Sequence, residues 1–190
     1  MIYPGRPLFL GDVSLWRGSG GIDGVMVSGD LSDEELYGKF SDRLIRFAAT
    51  VVGAADAEDV MTDGVVAAMQ SRQWPSVDDR VSYLYRSVLN AGRMHLRSAD
   101  RRRKRESRSW SRDGAVQQGV AASWSAEPAP EVRDAVASLS ARQRAVIYLT
   151  YWEDLDEATT ARRLGIGVGS VRRHLHRART NIGRQLHGSI

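Results

Sequence analysis

The sequence predicts an all-α protein: two small helical domains joined by a flexible linker. Three observations carry this. From Leu36 onward apolar residues recur at spacings of three and four, the repeat of one helix face. No segment sustains the apolar–polar alternation of a strand. Between Glu106 and Pro130 the periodicity collapses into SRSWSRDGAVQQGVAASWSAEPAP, rich in Ser, Ala, Gly and Gln, before it resumes. In a chain of 190 residues this leaves a first domain at 31–105, a linker at 106–130 and a second domain at 131–190.

The first 30 residues hold seven glycines (Gly5, Gly11, Gly18, Gly20, Gly21, Gly24, Gly29) and two prolines, which argues against a packed element. Residues 1–30 therefore read as a flexible extension, and the functional protein starts at either Met1 or Met26. The first helix follows. Leu36, Phe40, Leu44, Phe47 and Val51 form one apolar stripe. Ser32 and Glu35 have the spacing of a capping box, and Gly53 ends the helix. A second helix runs from about Asp56 to Gln70, with Met61, Val65, Ala68 and Met69 on one side. A third starts near Ser76, with Asp79 as a capping acid, and continues past Leu96. Its buried side is Val77, Val81, Leu84, Val88, Gly92 and Leu96.

In the second domain, Asp156 is placed to cap a short helix carrying Ala158, Ala161 and Leu164. The glycine-containing turn Gly165–Gly169 follows, and Ser170 is expected to cap the next helix. That helix has a buried stripe of Val171, Leu175, Ala178, Ile182 and Leu186. Two helices joined in this way form a helix-turn-helix. The outer face of the second helix carries Arg172, Arg173, His176, Arg177 and Arg184. An apolar anchor behind base-edge and phosphate donors is what a recognition helix in a major groove needs. An ordinary basic surface helix is the plainer alternative.

Composition narrows the classes. Hydrophobic residues are 42% and charged residues 26%, the balance of a folded soluble protein rather than a disordered tail. The formal charge is +4, and of 27 basic residues only Lys39 and Lys104 are lysines. Arginine suits bidentate phosphate and base-edge contacts, although a GC-rich genome produces the same bias. With no cysteine, disulfides, thiolate metal sites and cysteine nucleophiles are excluded. His95, His174, His176 and His187 are scattered over basic helices and do not form a metal site. No apolar run approaches the roughly 20 residues of a membrane span. The first 30 residues lack the apolar stretch of a signal peptide, so a cytoplasmic location is expected.

Two further faces are chemically distinct. On the third helix Arg86, Asn90, Arg93 and Arg97 stack opposite the buried side, with Tyr83 at the edge, before the run Arg101-Arg102-Arg103-Lys104-Arg105. No acid occurs between Arg80 and Asp100, whereas solvated faces usually mix signs. Arg and Asn with a flanking aromatic suit phosphates and unstacked bases. On the second helix Asp56, Asp59 and Asp63 share a face. Carboxylates so spaced can serve metal binding or acid–base chemistry. Without a nearby His or Gly-rich loop they fit a solvated face or a protein-docking surface better.

Together these parts resemble the extracytoplasmic-function sigma factors, the minimal two-domain members of the bacterial sigma-70 family. The resemblance covers about residues 33–105 and 131–187. It is carried by LSARQRAVIYLTYWEDL and LGIGVGSVRRHLHRAR in the second domain, and by AEDVMTDGVVAAM and YLYRSVLNAGRMHLR in the first. It implies a non-catalytic subunit with no cofactor that directs transcription initiation. The implied partners are core RNA polymerase, through the β′ clamp helices and the β subunit, and promoter DNA, with an anti-sigma factor as a further possible partner. Asp59 and Asp63, with Asp56 on the same stripe, become the docking residues. The third helix and the preceding loop from Trp74 to Arg80 would hold the −10 element, with Asn90 at a position where the family keeps that residue type. Ser170, Arg172, Arg173, His174 and Arg177 would read the −35 element. The linker would run along the polymerase towards the active-site cleft and the RNA exit channel. Three positions depart from the pattern: Met94 stands where many members carry Asp, Ala141 replaces a common Pro, and Thr160 stands where an aliphatic residue is usual. The runner-up is a stand-alone helix-turn-helix regulator, which would bind an operator without polymerase.

Overall fold

The computed structural model describes residues 31–109 and 130–187. The expected N-terminal extension 1–30, with both candidate starts Met1 and Met26, and linker residues 110–129 lie outside the described residues. Those described form seven α-helices and no strand: α1 (Asp33–Val52), α2 (Ala57–Met69), α3 (Arg80–Ser109), α4 (Pro130–Ala137), α5 (Ala141–Ile147), α6 (Glu157–Leu164) and α7 (Val168–His187). A 3₁₀ turn, Trp74–Ser76, precedes α3, and a π-helical segment, Tyr148–Trp152, continues α5.

Local chemistry sets the helix starts. The Ser32 backbone N–H donates to Glu35 Oε2 (2.9 Å), and the Glu35 N–H donates back to Ser32 Oγ (3.2 Å), completing the expected capping box of α1. These bonds hold the Glu35 carboxyl below its ordinary pKa. Gly53 ends α1 at φ +106°, a conformation that L side chains rarely adopt. The α3 helix begins at Arg80, four residues later than expected from sequence. Asp79 is the residue before it and accepts from the Ser82 N–H at 2.9 Å and the Ser82 hydroxyl at 2.6 Å. The helix continues to Ser109, four residues into the stretch read as linker.

In the first domain α1, α2 and α3 close around Leu44, Phe47, Val51, Val60, Met61, Leu84 and Val88, all buried. Two glycines permit this approach. A Cβ on Gly64 would lie 2.6 Å from the Val88 Cα, and one on Gly92 would lie 2.8 Å from the Val51 Cγ1. In the second domain α4, α5 and α6 pack on α7 through Leu139, Val146, Leu149, Leu164, Val171 and Leu175. Ser140 and Gln143 form a second capping box at the start of α5.

The two domains are packed together. The α1 and α3 helices touch α5, and α3 touches α6, so one apolar cluster extends through both domains. Phe47 is a joint: its ring lies edge-on to Tyr85 (centroids 5.0 Å) and to Tyr148 (5.7 Å). The wide π-helical turn returns the chain so that the Glu153 N–H donates to the Tyr148 carbonyl (3.2 Å). There Glu153 Oε1 accepts the Tyr85 hydroxyl at 2.5 Å.

Candidate nucleic-acid interface

The α7 surface is built from its hidden side outward. Val171, Leu175 and Ala178 are buried, Ile182 and Leu186 half-buried, as the stripe requires. Asp156 caps α6 by accepting from the Thr159 N–H at 2.6 Å, which holds its carboxyl below the ordinary value. Gly165 then turns the chain at φ +63°, the left-handed conformation typical of a helix end. The turn is shorter than expected. Ser170 and Val171 both donate backbone N–H groups to the Gly167 carbonyl, so α7 begins at Val168. Ser170 is thus a first-turn residue rather than the cap, and its hydroxyl accepts from Arg173 Nη2 at 3.2 Å.

Arg172, Arg173, His176, Arg177 and Arg184 are exposed on the outer face, as expected. Arg172 is engaged with Glu157 of α6 at 2.6 Å, an exposed ion pair that positions the side chain more than it stabilises the fold. His174 is half-buried. Burial, then the Arg142, Arg177 and Arg173 charges, hold its imidazole below the ordinary pKa and favour the neutral ring. Sequence reasoning missed Arg179, whose guanidinium packs over the Tyr151 ring and donates to its hydroxyl.

On α3, Asn90 and Arg97 are exposed, while Arg86 and Arg93 are half-buried. Burial is the main cause lowering the Arg93 pKa, with the Arg142 and Arg97 charges adding to it. Tyr83 donates its hydroxyl to Ser71 (3.0 Å), and the Arg86 guanidinium lies over its ring. The loop residues differ from expectation. Trp74 is buried, and its indole N–H donates to Asp33 at 3.0 Å. Arg80 sits over that indole and donates to the Leu31 carbonyl (3.3 Å) and to Asp33 (3.4 Å). In this arrangement Trp74 presents no open ring to a base: together with Arg80 it fastens the loop to the start of α1.

The acidic face of α2 also divides. Asp59 and Asp63 are exposed beside Val66, an exposed apolar residue. Asp56 instead lies 3.3 Å from His95 Nε2, turned towards α3. Among the described residues no group of His, Asp and Glu could hold a metal ion, and no helix is long and apolar enough to cross a membrane. Thr160, one of the departures noted in the sequence, is fully buried on α6, and its hydroxyl has no partner.

A helix-turn-helix with a basic outer face, joined to a second helical domain with a basic helix that is free of acids from Arg80 to Ala99, defines a DNA-binding transcription protein. The Sigma-70 region 2 family model matches residues 36–102, and the Sigma-70 region 4 model matches residues 130–182. The chain belongs to the sigma-70 family, the RNA polymerase sigma factors that recognise promoters, and has the two-region makeup of the extracytoplasmic-function group. No curated protein matches it. Among solved structures, it is similar to the sigma factor RpoE of Bartonella quintana in a co-crystal with the anti-sigma factor NepR. The identity is 21% and the TM-score 0.49, over 81% of this chain and 96% of that one.

Proposed function

We propose that the chain is a non-catalytic cytoplasmic subunit that docks on core RNA polymerase and divides promoter reading between its two domains. One observation carries the reading: the segments Arg80–Ala99 and Val168–His187 contain no acid and expose Asn90, Arg97, Arg173 and Arg177. In this reading α7 lies in the major groove of the −35 element, with Arg173 and Arg177 nearest the base edges and Ser170, Arg172 and His174 supporting them. Asn90, Arg93, Arg97 and Arg86 contact the −10 strand. Asp59 and Asp63 meet the β′ clamp helices, and an anti-sigma factor is a further partner. Each DNA contact set is small. Holding both on one polymerase makes them effectively intramolecular and raises avidity without new contacts. Capture of a flipped base offsets part of the unstacking cost of opening the duplex.

The test is transcription with core polymerase on a promoter library. The expected result is initiation at a defined promoter class, lost together with core binding in the Asp59→Lys/Asp63→Lys variant. That variant should keep the intrinsic duplex affinity of the C-terminal domain. Operator binding without any polymerase-dependent initiation would replace the reading with a stand-alone regulator.

A further inference from the structure

The arginines of α7 differ in what holds them. Arg173 bonds to Ser170 within its own turn, and among the described residues Arg177 and Arg184 have no ion pair. Arg172 is tied to another helix: its Nε donates to Glu157 Oε2, 15 positions earlier, at 2.6 Å. We propose that Glu157 is a positioning residue that sets −35 specificity, turning Arg172 from a phosphate contact into a reader of guanine. The proposal rests on the −35 assignment of α7 above.

The pair is arranged for this. Asp156 caps α6 and Glu157 opens it, so the carboxylate belongs to the first helix of the helix-turn-helix and Arg172 to the second. The Glu157 side chain is 33% exposed and that of Arg172 is 68% exposed. The acid therefore lies beneath and the guanidinium outermost, where an approaching duplex meets it first. The α7 helix has no acid of its own, so the negative charge at Arg172 comes from α6.

Two physical effects follow. A guanidinium beside a carboxylate presents little net charge, so phosphates, which occur at every sequence, attract it weakly. Directional hydrogen bonding persists, because the ion pair takes the Nε side and a guanidinium also donates through its Nη groups. The same bond fixes the guanidinium plane before DNA arrives, which removes part of the ordering cost of a long side chain. Guanine presents O6 and N7 as adjacent acceptors in the major groove, the edge that fixed paired donors match. Adenine sets an amino donor where guanine has O6, and is disfavoured. Glu157 also repels nearby phosphates. It thus weakens binding to duplexes in general and spares one base edge, which raises discrimination.

The test uses the full chain to select a preferred duplex from a randomised pool, after which each base pair is exchanged in turn. Arg172→Ala should relax the preference at one position, and that position should hold a G·C pair. There Glu157→Ala should cut the preference for that pair about tenfold. Affinity for random duplexes should instead rise about threefold. Arg172 then pairs with a phosphate, and the slope of log affinity against log salt should steepen by about one. Glu157→Gln, which keeps an acceptor for Nε without the charge, should bind random duplexes more tightly yet keep more of the preference. In Arg172→Ala protein, adding Glu157→Ala should leave the preference unchanged. Glu157→Lys, which repels Arg172, should lose the preference too, and replaces Glu157→Ala if circular dichroism shows that variant unfolded. A loss of affinity equal on all duplexes would assign Glu157 to the fold of α6 alone and overturn the proposal. A preference untouched by Glu157→Ala would do the same, as would an Arg172→Ala effect at an A·T pair or at no position. A protein that selects no duplex sequence would overturn the −35 assignment itself, whereas a selected sequence indifferent to Glu157 leaves that assignment standing.

Discussion

The α3 helix as far as Ala99 and the α7 helix present the same kind of outer face, arginines without acids, but they are supported differently. The α7 helix has one buried stripe, and its exposed arginines project away from the protein core. The α3 helix is buried on two sides: Val81, Leu84 and Val88 belong to its own domain, and Tyr85 extends from Phe47 to Glu153 in the other. The difference teaches that a cationic helix face is not automatically an available one. The basic face of α7 is exposed, while α3 is covered on one side by the second domain.

The largest effect comes from removing the seat of α3 alone. Gly64→Val places side-chain atoms within 2.6 Å of the Val88 backbone and should destabilise the first domain by about 3 kcal/mol. Thermal unfolding should show that loss while affinity for a −35 duplex persists. Loss of both would mean that α7 depends on the first domain. Next, Arg173→Ala should cost about 2 kcal/mol on the preferred duplex and much less on random duplexes. An equal loss on both would make Arg173 a phosphate contact. Smaller again, Thr160→Val removes a buried hydroxyl that has no partner and should stabilise the second domain by about 1 kcal/mol. An unchanged or lower unfolding midpoint would show that the hydroxyl is satisfied.

The smallest effect concerns pH. Burial raises the Glu153 pKa despite the Tyr85 hydrogen bond and the Arg163, Arg43 and Arg46 charges, which act to lower it. A carboxyl whose pKa is higher folded than unfolded favours the folded state below its ordinary value, and that contribution fades as pH rises through the raised pKa. Thermal stability should therefore decline modestly as pH rises above the ordinary carboxylate range, and Glu153→Gln should remove that dependence. A rise with pH would reverse the sign.

Much of this was legible in the sequence because it depends on near neighbours. The stripe from Leu36 to Val51, the Ser32–Glu35 box, the Asp156 cap and the place of Gly92 against the core all follow from spacing along one helix. What was not legible needs a partner distant in sequence. Tyr85 and Leu89 adjoin the first stripe on the wheel, and the Glu153 that meets Tyr85 is 68 positions away. The loop from Trp74 to Arg80 is expected to hold DNA until Asp33, from another helix, is seen to accept a hydrogen bond from the Trp74 indole N–H. The start of α7 was misplaced because Gly167 and Gly169 suggest a continuing turn, whereas Val168 and Gly169 join the helix once Gly167 accepts its first backbone bonds.

At 30 residues, α3 is about 45 Å long, yet its last core contact is at Leu96. Beyond that point it is a cantilever. Side chains from Arg101 to Arg105 stand in solvent, the Asp100–Lys104 pair at 2.8 Å links one turn to the next, and cations sit near the negative end of the helix dipole. Order there is a helix–coil balance and not a packing one, so the arm melts from its tip while its base stays fixed. Its backbone amides should lose protection from solvent exchange progressively along the arm, and any polyanion resting on it will lengthen the rigid part of the lever.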